Sequence, residues 1–302
     1  MSILLASSNP IHHILDKPVS GAEHIRILDQ PLTIHMVSLV VAAVVTLIVL
    51  RYAAKCISVG DESQGTDRYL TKGRIPQIIE VVTLYLRDNV IKPVLGSDTN
   101  RFLPYLLSLF YFILTCNLLG MIPFADIQTA VGKLATSQDN WSVFGGTATS
   151  NINVTIALAV VSFIVIQVHA FKSLGVGGWA QHLTGGAPLY LLPIMLPIEF
   201  MGMFIKPSAL AIRLFANMVG GHTMLAALMM FGTMAAEAGA SLATTGSISI
   251  ISMIAAVAIC FLELFVAFLQ AFIFMFLTTV FIGQMSHHGD EHEEHALETA
   301  TH

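Results

Sequence analysis

Charge is what this sequence has least of. Asp, Glu, Lys and Arg make up 11% of its 302 residues, less than half of the roughly 25% usual in soluble domains. That scarcity excludes an ordinary water-soluble domain. With 55% of residues hydrophobic, it leaves an all-α integral membrane protein. Cysteine is scarce too. Cys56, Cys116 and Cys260 lie far apart with no CxxC spacing, so no redox or zinc motif is present. Cys116 and Cys260 read as small apolar membrane residues. Residues 1–30 lack a basic start followed by an apolar core, so no cleavable signal peptide is expected. There is no Walker A pattern, and "GVGG" at 175–178 follows no strand and is no nucleotide fingerprint. No catalytic site, cofactor or metal is expected in this chain. The net charge of −5 offers nothing to nucleic acid, and much of it sits in the C-terminal tail.

What is there is a series of long apolar runs. Residues 1–32 form a polar N-terminal segment, and 33–284 a membrane domain. Spans are expected near 33–54, 101–123, 151–171, 188–236 and 248–284. The stretch 75–97 alternates apolar and charged positions at helical spacing; it is too polar to span and reads as an interfacial amphipathic helix. "KSLGVGGWAQHLTGGAP" at 172–188 reads as a glycine-rich loop, and residues 285–302 as an acidic, His-rich cytoplasmic tail.

The last two runs are too long for perpendicular spans. A straight helix over 248–284 would extend roughly 55 Å, against a hydrocarbon core of about 30 Å. Such helices must tilt strongly or break. Pro188, Pro193 and Pro197 offer a break before Glu199, whereas 248–284 has no such device. A tilted helical hairpin is therefore expected there.

Lys and Arg placement gives the orientation. With five passes, one side holds Arg51, Lys55, Arg68, Lys72, Arg74, Arg87, Lys92, Arg101 and Lys172, and the other only Lys17, Arg26 and Lys133. The first side is the cytoplasm. The N-terminus is then outside and the C-terminus inside.

Ionisable groups within spans are functional candidates by default. Here they are Glu199, Lys206, Arg213, His222 and Glu263, with the amides Asn217 and Gln270. At about 100° per residue, Arg213 and Asn217 share a face with Lys206, Gly202, Ala209, Ala216 and Gly220. That stripe of small side chains admits close approach by another helix. His222 lies about 180° around and roughly 13 Å further along the axis. Glu199 lies roughly 21 Å in the other direction. Glu263 and Gln270, seven residues apart, share one face of the last span. Polar groups thus lie at two depths, on either side of an arginine that keeps its proton under nearly any condition. The pattern suits two separate aqueous entries divided by a fixed positive charge. Plainer readings stand beside it: Lys206 snorkelling to the interface, His222 as a core histidine, and Asn217 and Gln270 as packing hydrogen bonds. A buried Glu263 needs a partner or a proton, and His222 is the natural partner.

The tail carries H-x-x-E-H at His288, Glu291 and His292, the spacing of an inverted zinc-protease motif. It lies in a terminal low-complexity stretch without a clear third ligand and reads as a solvated tail. A stand-alone secondary ion transporter is the competing function class. It would gather its polar groups in one midplane site of broken helices.

"KPSALAIRLFANMVGGH" and "LQAFIFMFLTTVFI" resemble the subunit a family of the F-type ATP synthase membrane sector. "IHHILD" at 11–16, "CNLLGMIPF" at 116–124 and "TSNINVT" at 149–155 extend the resemblance in the right order. The resemblance implies a stator subunit that forms the two proton half-channels and works against a ring of c subunits. Its further partners would be the b subunits of the peripheral stalk, the lipid membrane and protons. By the same resemblance, Arg213 matches the arginine facing the ring, with Asn217 and Gln270 near it. Glu199 matches the acid of the cytoplasmic half-channel, and His222 and Glu263 two coupled positions in the other. In some members the acid and the histidine are exchanged between those two positions. Gly120 departs from the pattern, since some members carry an acid there; Asp126 is nearby but need not replace it. The implied location is a bacterial inner membrane, with the mitochondrial inner membrane as the alternative.

Overall fold

In the computed structural model the described residues are 26–27, 30–31, 33–56, 71, 73–122, 128, 148–183, 192–239 and 241–300. Two residue pairs, β1 (Arg26–Ile27) and β2 (Gln30–Pro31), form a minimal antiparallel hairpin. The other elements among the described residues are helical, the α-helices being α1 (Ile34–Cys56), α2 (Arg74–Tyr85), α3 (Lys92–Leu95), α4 (Thr99–Met121), α5 (Ile152–Leu183), α6 (Leu192–Glu237) and α7 (Leu242–Ala300). Among the described residues, five helical stretches are long and apolar enough to cross a membrane: Ile34–Cys56, Arg74–Met121, Ile152–Lys172, Pro193–Leu228 and Ala243–Gln284. The protein is an all-α multi-pass membrane protein.

Helix punctuation follows the residues. Between α2 and α3 the chain makes a π turn over Leu86–Ile91. Pro93 follows it; a proline ring clashes with the carbonyl four residues back, and the wider turn makes room for it. The Arg74–Met121 stretch changes course at Gly96, whose φ of 53° ends α3 before the 3₁₀ turn Gly96–Asp98.

Of the glycine-rich loop expected over 172–188, residues 172–183 are helical instead, and 184–188 lie outside the described residues. α5 continues to Leu183, interrupted only at Gly175, where φ is 67°. One residue absorbs the break, and helix resumes on its far side.

Of the two options for the fourth run, break or continuity, α6 takes continuity. It runs from Leu192 to Glu237 with Pro197 and Pro207 inside it. Pro193 falls in the first turn, where its missing N–H costs no intrahelical bond. Membrane helices accommodate interior prolines because neighbouring groups satisfy the freed backbone. Pro188 lies outside the described residues. α7 also runs unbroken and includes the tail backbone to Ala300; its described side chains end at Gln284.

The chain forms two compact units. One gathers Met1–Ala42, Ile113–Thr155 and Ile212–Gln270. Its core includes Ala42, Ile113, Asn117, Leu214, Met218 and Ala267. Ser150 Oγ and His35 Nδ1, both buried, lie 3.5 Å apart and tie α1 to the turn before α5. The other unit gathers Ala43–Phe112, Ile156–Ala211 and Ala271–His302. Within it Tyr105 donates from Oη to Ser162 Oγ at 3.0 Å, joining α4 to α5. Tyr111 donates to the Ile79 carbonyl at 3.0 Å, joining α4 to α2. A Cβ on Gly283 would stand 2.8 Å from Val94 Cγ1 and 2.9 Å from the Val94 carbonyl oxygen. Only a residue without a side chain lets α7 lie so close to α3.

Candidate functional site

The first unit holds most of the polar residues singled out from sequence. Those on α6 divide between two of its faces, and Glu263 and Gln270 lie on α7. On one face Ala209, Arg213, Ala216 and Gly220 are exposed and Asn217 is half-buried. On the other, Leu210, Ala211, Leu214 and Met218 are buried. The spacing explains the division: the buried residues recur at three and four positions, while Arg213 and the small residues recur on the outward side. A guanidinium on a stripe of Ala and Gly presents its charge with little bulk around it.

His222 belongs to the inner side. Its Nε2 stands 3.7 Å from Glu263 Oε1 on α7. That is beyond a hydrogen bond but within ion-pair reach. The glutamate side chain is 3% exposed and the histidine 23%. A carboxylate taken out of water is costly unless it is paired or protonated. Among the described residues neither carboxylate oxygen of Glu263 has a hydrogen-bond partner, nor has the buried Nε2 of Gln270. Buried polar groups in this condition are uncommon in folded proteins.

Gly221 makes the slot in which the carboxylate sits. A Cβ there would lie 2.8 Å from Glu263 Oε1 and 3.1 Å from its Cδ. Gly221 does not stand out in the sequence; its one signal there is the Gly-Gly pair directly before His222. Nor does Asn117 stand out. This fully buried amide on α4 donates from Nδ2 to the Ala267 carbonyl at 3.2 Å. Its Oδ1 accepts from Thr149 Oγ1 at 3.0 Å. Ala267 lies one turn beyond Glu263, on the face shared with Gln270.

The remaining candidates fall elsewhere. Glu199 is half-buried in the second unit. Lys206, in the same unit, places Nζ 5.3 Å from the centroid of the Phe281 ring. Its ammonium therefore rests on an aromatic face of α7, a contact that the snorkelling reading did not foresee. Asp126 and the residues of "IHHILD" lie outside the described residues. Among the described residues no group of three or more His, Cys, Asp or Glu side chains could hold a metal ion; the tail's side chains are outside that set.

The comparisons with known proteins point one way. The family model described as ATP synthase A chain matches residues 34–283. The chain is 37% identical to ATP synthase subunit a 2 of Chlorobaculum tepidum, over 97% of this chain and 77% of that protein. It is 36% identical to ATP synthase subunit a of Chloroherpeton thalassium, over 95% of this chain and 80% of the relative. Against ATP synthase subunit a of an Anaeromyxobacter species, identity is 38% over 93% of this chain, which spans 61% of that relative. With the matched region running from the start of α1 to the end of the membrane part of α7, the chain belongs to the ATP synthase A chain family, that of subunit a in the membrane sector of ATP synthase.

Proposed function

We propose that the chain is the stator of a rotary ATP synthase, forming two proton half-channels that couple transmembrane proton flow to rotation of a c-subunit ring. The single observation behind this is the division of α6. Arg213 is exposed on a small-residue face, and the His222–Glu263 pair lies on the opposite side of the same helix.

Protons enter from the outer side near His222 and Glu263 and neutralise a carboxylate on a c subunit. The neutral site then turns into lipid, which a charged one resists. After nearly a full turn it reaches the inner half-channel near Glu199 and releases its proton. Arg213, with Asn217 and Gln270 nearby, stands between the two channels. It favours the ionised carboxylate and blocks direct leakage. Each proton that crosses gains about 2.3 kcal/mol per 100 mV, and that energy becomes torque only while the leak is closed. ATP itself is made on other subunits. α6 and α7, each far longer than the membrane is thick, lie steeply tilted against the ring. The b subunits of the peripheral stalk hold the chain still. The setting is a bacterial inner membrane, N-terminus outside and C-terminus in the cytoplasm. Continuity of α6 and α7 favours this reading over a stand-alone transporter, whose site is built from broken helices.

The test is purification under mild detergent followed by reconstitution. The chain should bring a c-ring and stalk subunits with it. ATP-driven proton pumping should disappear in the His222→Leu/Glu263→Leu double variant. Isolation of the chain alone, as an active ion carrier, would overturn the reading.

A further inference from the structure

Asn117 is a polar side chain placed where nothing in helix formation requires one. It is fully buried on α4. Burying an amide costs free energy unless its hydrogen bonds are satisfied. Its partner on α7 is not a side chain but the Ala267 carbonyl, 3.2 Å away. Ala267 lies inside an unbroken helix, so that oxygen already serves the N–H four residues on. Its second lone pair takes the Asn117 N–H. Thr149 donates to Asn117 Oδ1 at 3.0 Å. This leaves the NH₂ end of the amide facing α7, since two oxygens would otherwise oppose each other.

The contact therefore fixes the axial position and the rotation of α7 at one point. That point lies between Glu263 and Gln270, both 3% exposed on the same face. A slip by one turn moves a helix by about 5.4 Å, and a shift of one residue turns it by about 100°. Either would carry Glu263 away from His222, now 3.7 Å distant, and out of the slot at Gly221. Apolar packing between membrane helices is weakly directional, and interhelical hydrogen bonds supply register.

We propose that Asn117, oriented by Thr149, is a positioning residue for proton uptake: it clamps α7 in the register that holds Glu263 against His222. This rests on the reading that Glu263 takes part in proton uptake.

The test uses the whole complex in proteoliposomes, with proton flux normalised to assembled complex. The variants are Asn117→Leu, Thr149→Val, Glu263→Gln and the Asn117→Leu/Glu263→Gln double. Asn117→Leu keeps the branched shape and removes the clamp; flux per complex should fall about threefold to tenfold, the scale of one interhelical hydrogen bond. Thr149→Val should cause a smaller fall in the same direction. In the double variant the Asn117 change should add nothing to the effect of Glu263→Gln, because its only route is through that carboxylate. A merely structural role would lower the amount of assembled complex and leave flux per complex unchanged. Should Asn117→Leu fail to assemble, Thr149→Val decides alone. Normal flux per complex in the assembled clamp variants, with Glu263→Gln blocked, would overturn the clamp and leave the uptake role intact. Normal flux in Glu263→Gln would overturn both.

Discussion

His222 on α6 faces Glu263 on α7 with 3.7 Å between Nε2 and Oε1, and the glutamate is almost wholly shut from solvent. One imidazole and one carboxylate, supplied by two helices, make a pair that either helix could complete with either partner. The exchanged variant, His222→Glu with Glu263→His, is accordingly expected to retain proton pumping. Each single change puts two like groups together and should lose it. A positioned proton-transfer group contributes about a hundredfold or more, so the singles should fall by roughly that factor. Fluorescence quenching of a pH dye in inverted vesicles measures it. An exchanged variant no better than the singles would show that the pair does not act as a pair.

Gly221 supplies a second prediction. Ala is the better helix former by about 1 kcal/mol, so Gly221→Ala should stabilise α6 if packing were indifferent. The new methyl would instead meet the Glu263 carboxylate at 2.8 Å. Overpacking costs about 1–3 kcal/mol. The expected outcome is an assembled complex whose proton flux is down roughly tenfold. Wild-type flux with raised thermal stability would mean the carboxylate moves aside without consequence.

These two cases show what could be read from sequence and what could not. His222 and Glu263 stand out because ionisable groups are rare in apolar runs and each needs a partner. The division of α6 follows from helical periodicity alone. Asn117 was hidden for a different reason: its partner is a backbone carbonyl 150 residues away, and carbonyls look alike in every sequence. Gly221 was hidden because its function is to have no side chain. The stretch after Lys172 misled in the opposite direction. Gly175, Gly177 and Gly178 suggest a loop, yet a single residue with positive φ takes up the break and helix continues to Leu183. The length of α6 and α7 was legible, but whether interior prolines break α6 depends on packing that no local propensity encodes.

Orientation is tested by labelling. In a background with Cys56, Cys116 and Cys260 replaced, a cysteine introduced as Ser8→Cys should react with a membrane-impermeant maleimide added outside intact cells. Thr301→Cys should react only in inverted vesicles. The reverse pattern would contradict the orientation drawn from the Lys and Arg count.

The central claim is that Arg213 separates two half-channels while facing a moving partner. Its most direct test is Arg213→Ala in the assembled complex, with ATP synthesis and passive proton flux measured on the same proteoliposomes. Arg213 is exposed on a face of small residues, so its loss should leave assembly intact. The account predicts that ATP synthesis is abolished while protons still cross. ATP synthesis at the normal rate in the Arg213→Ala complex would contradict it.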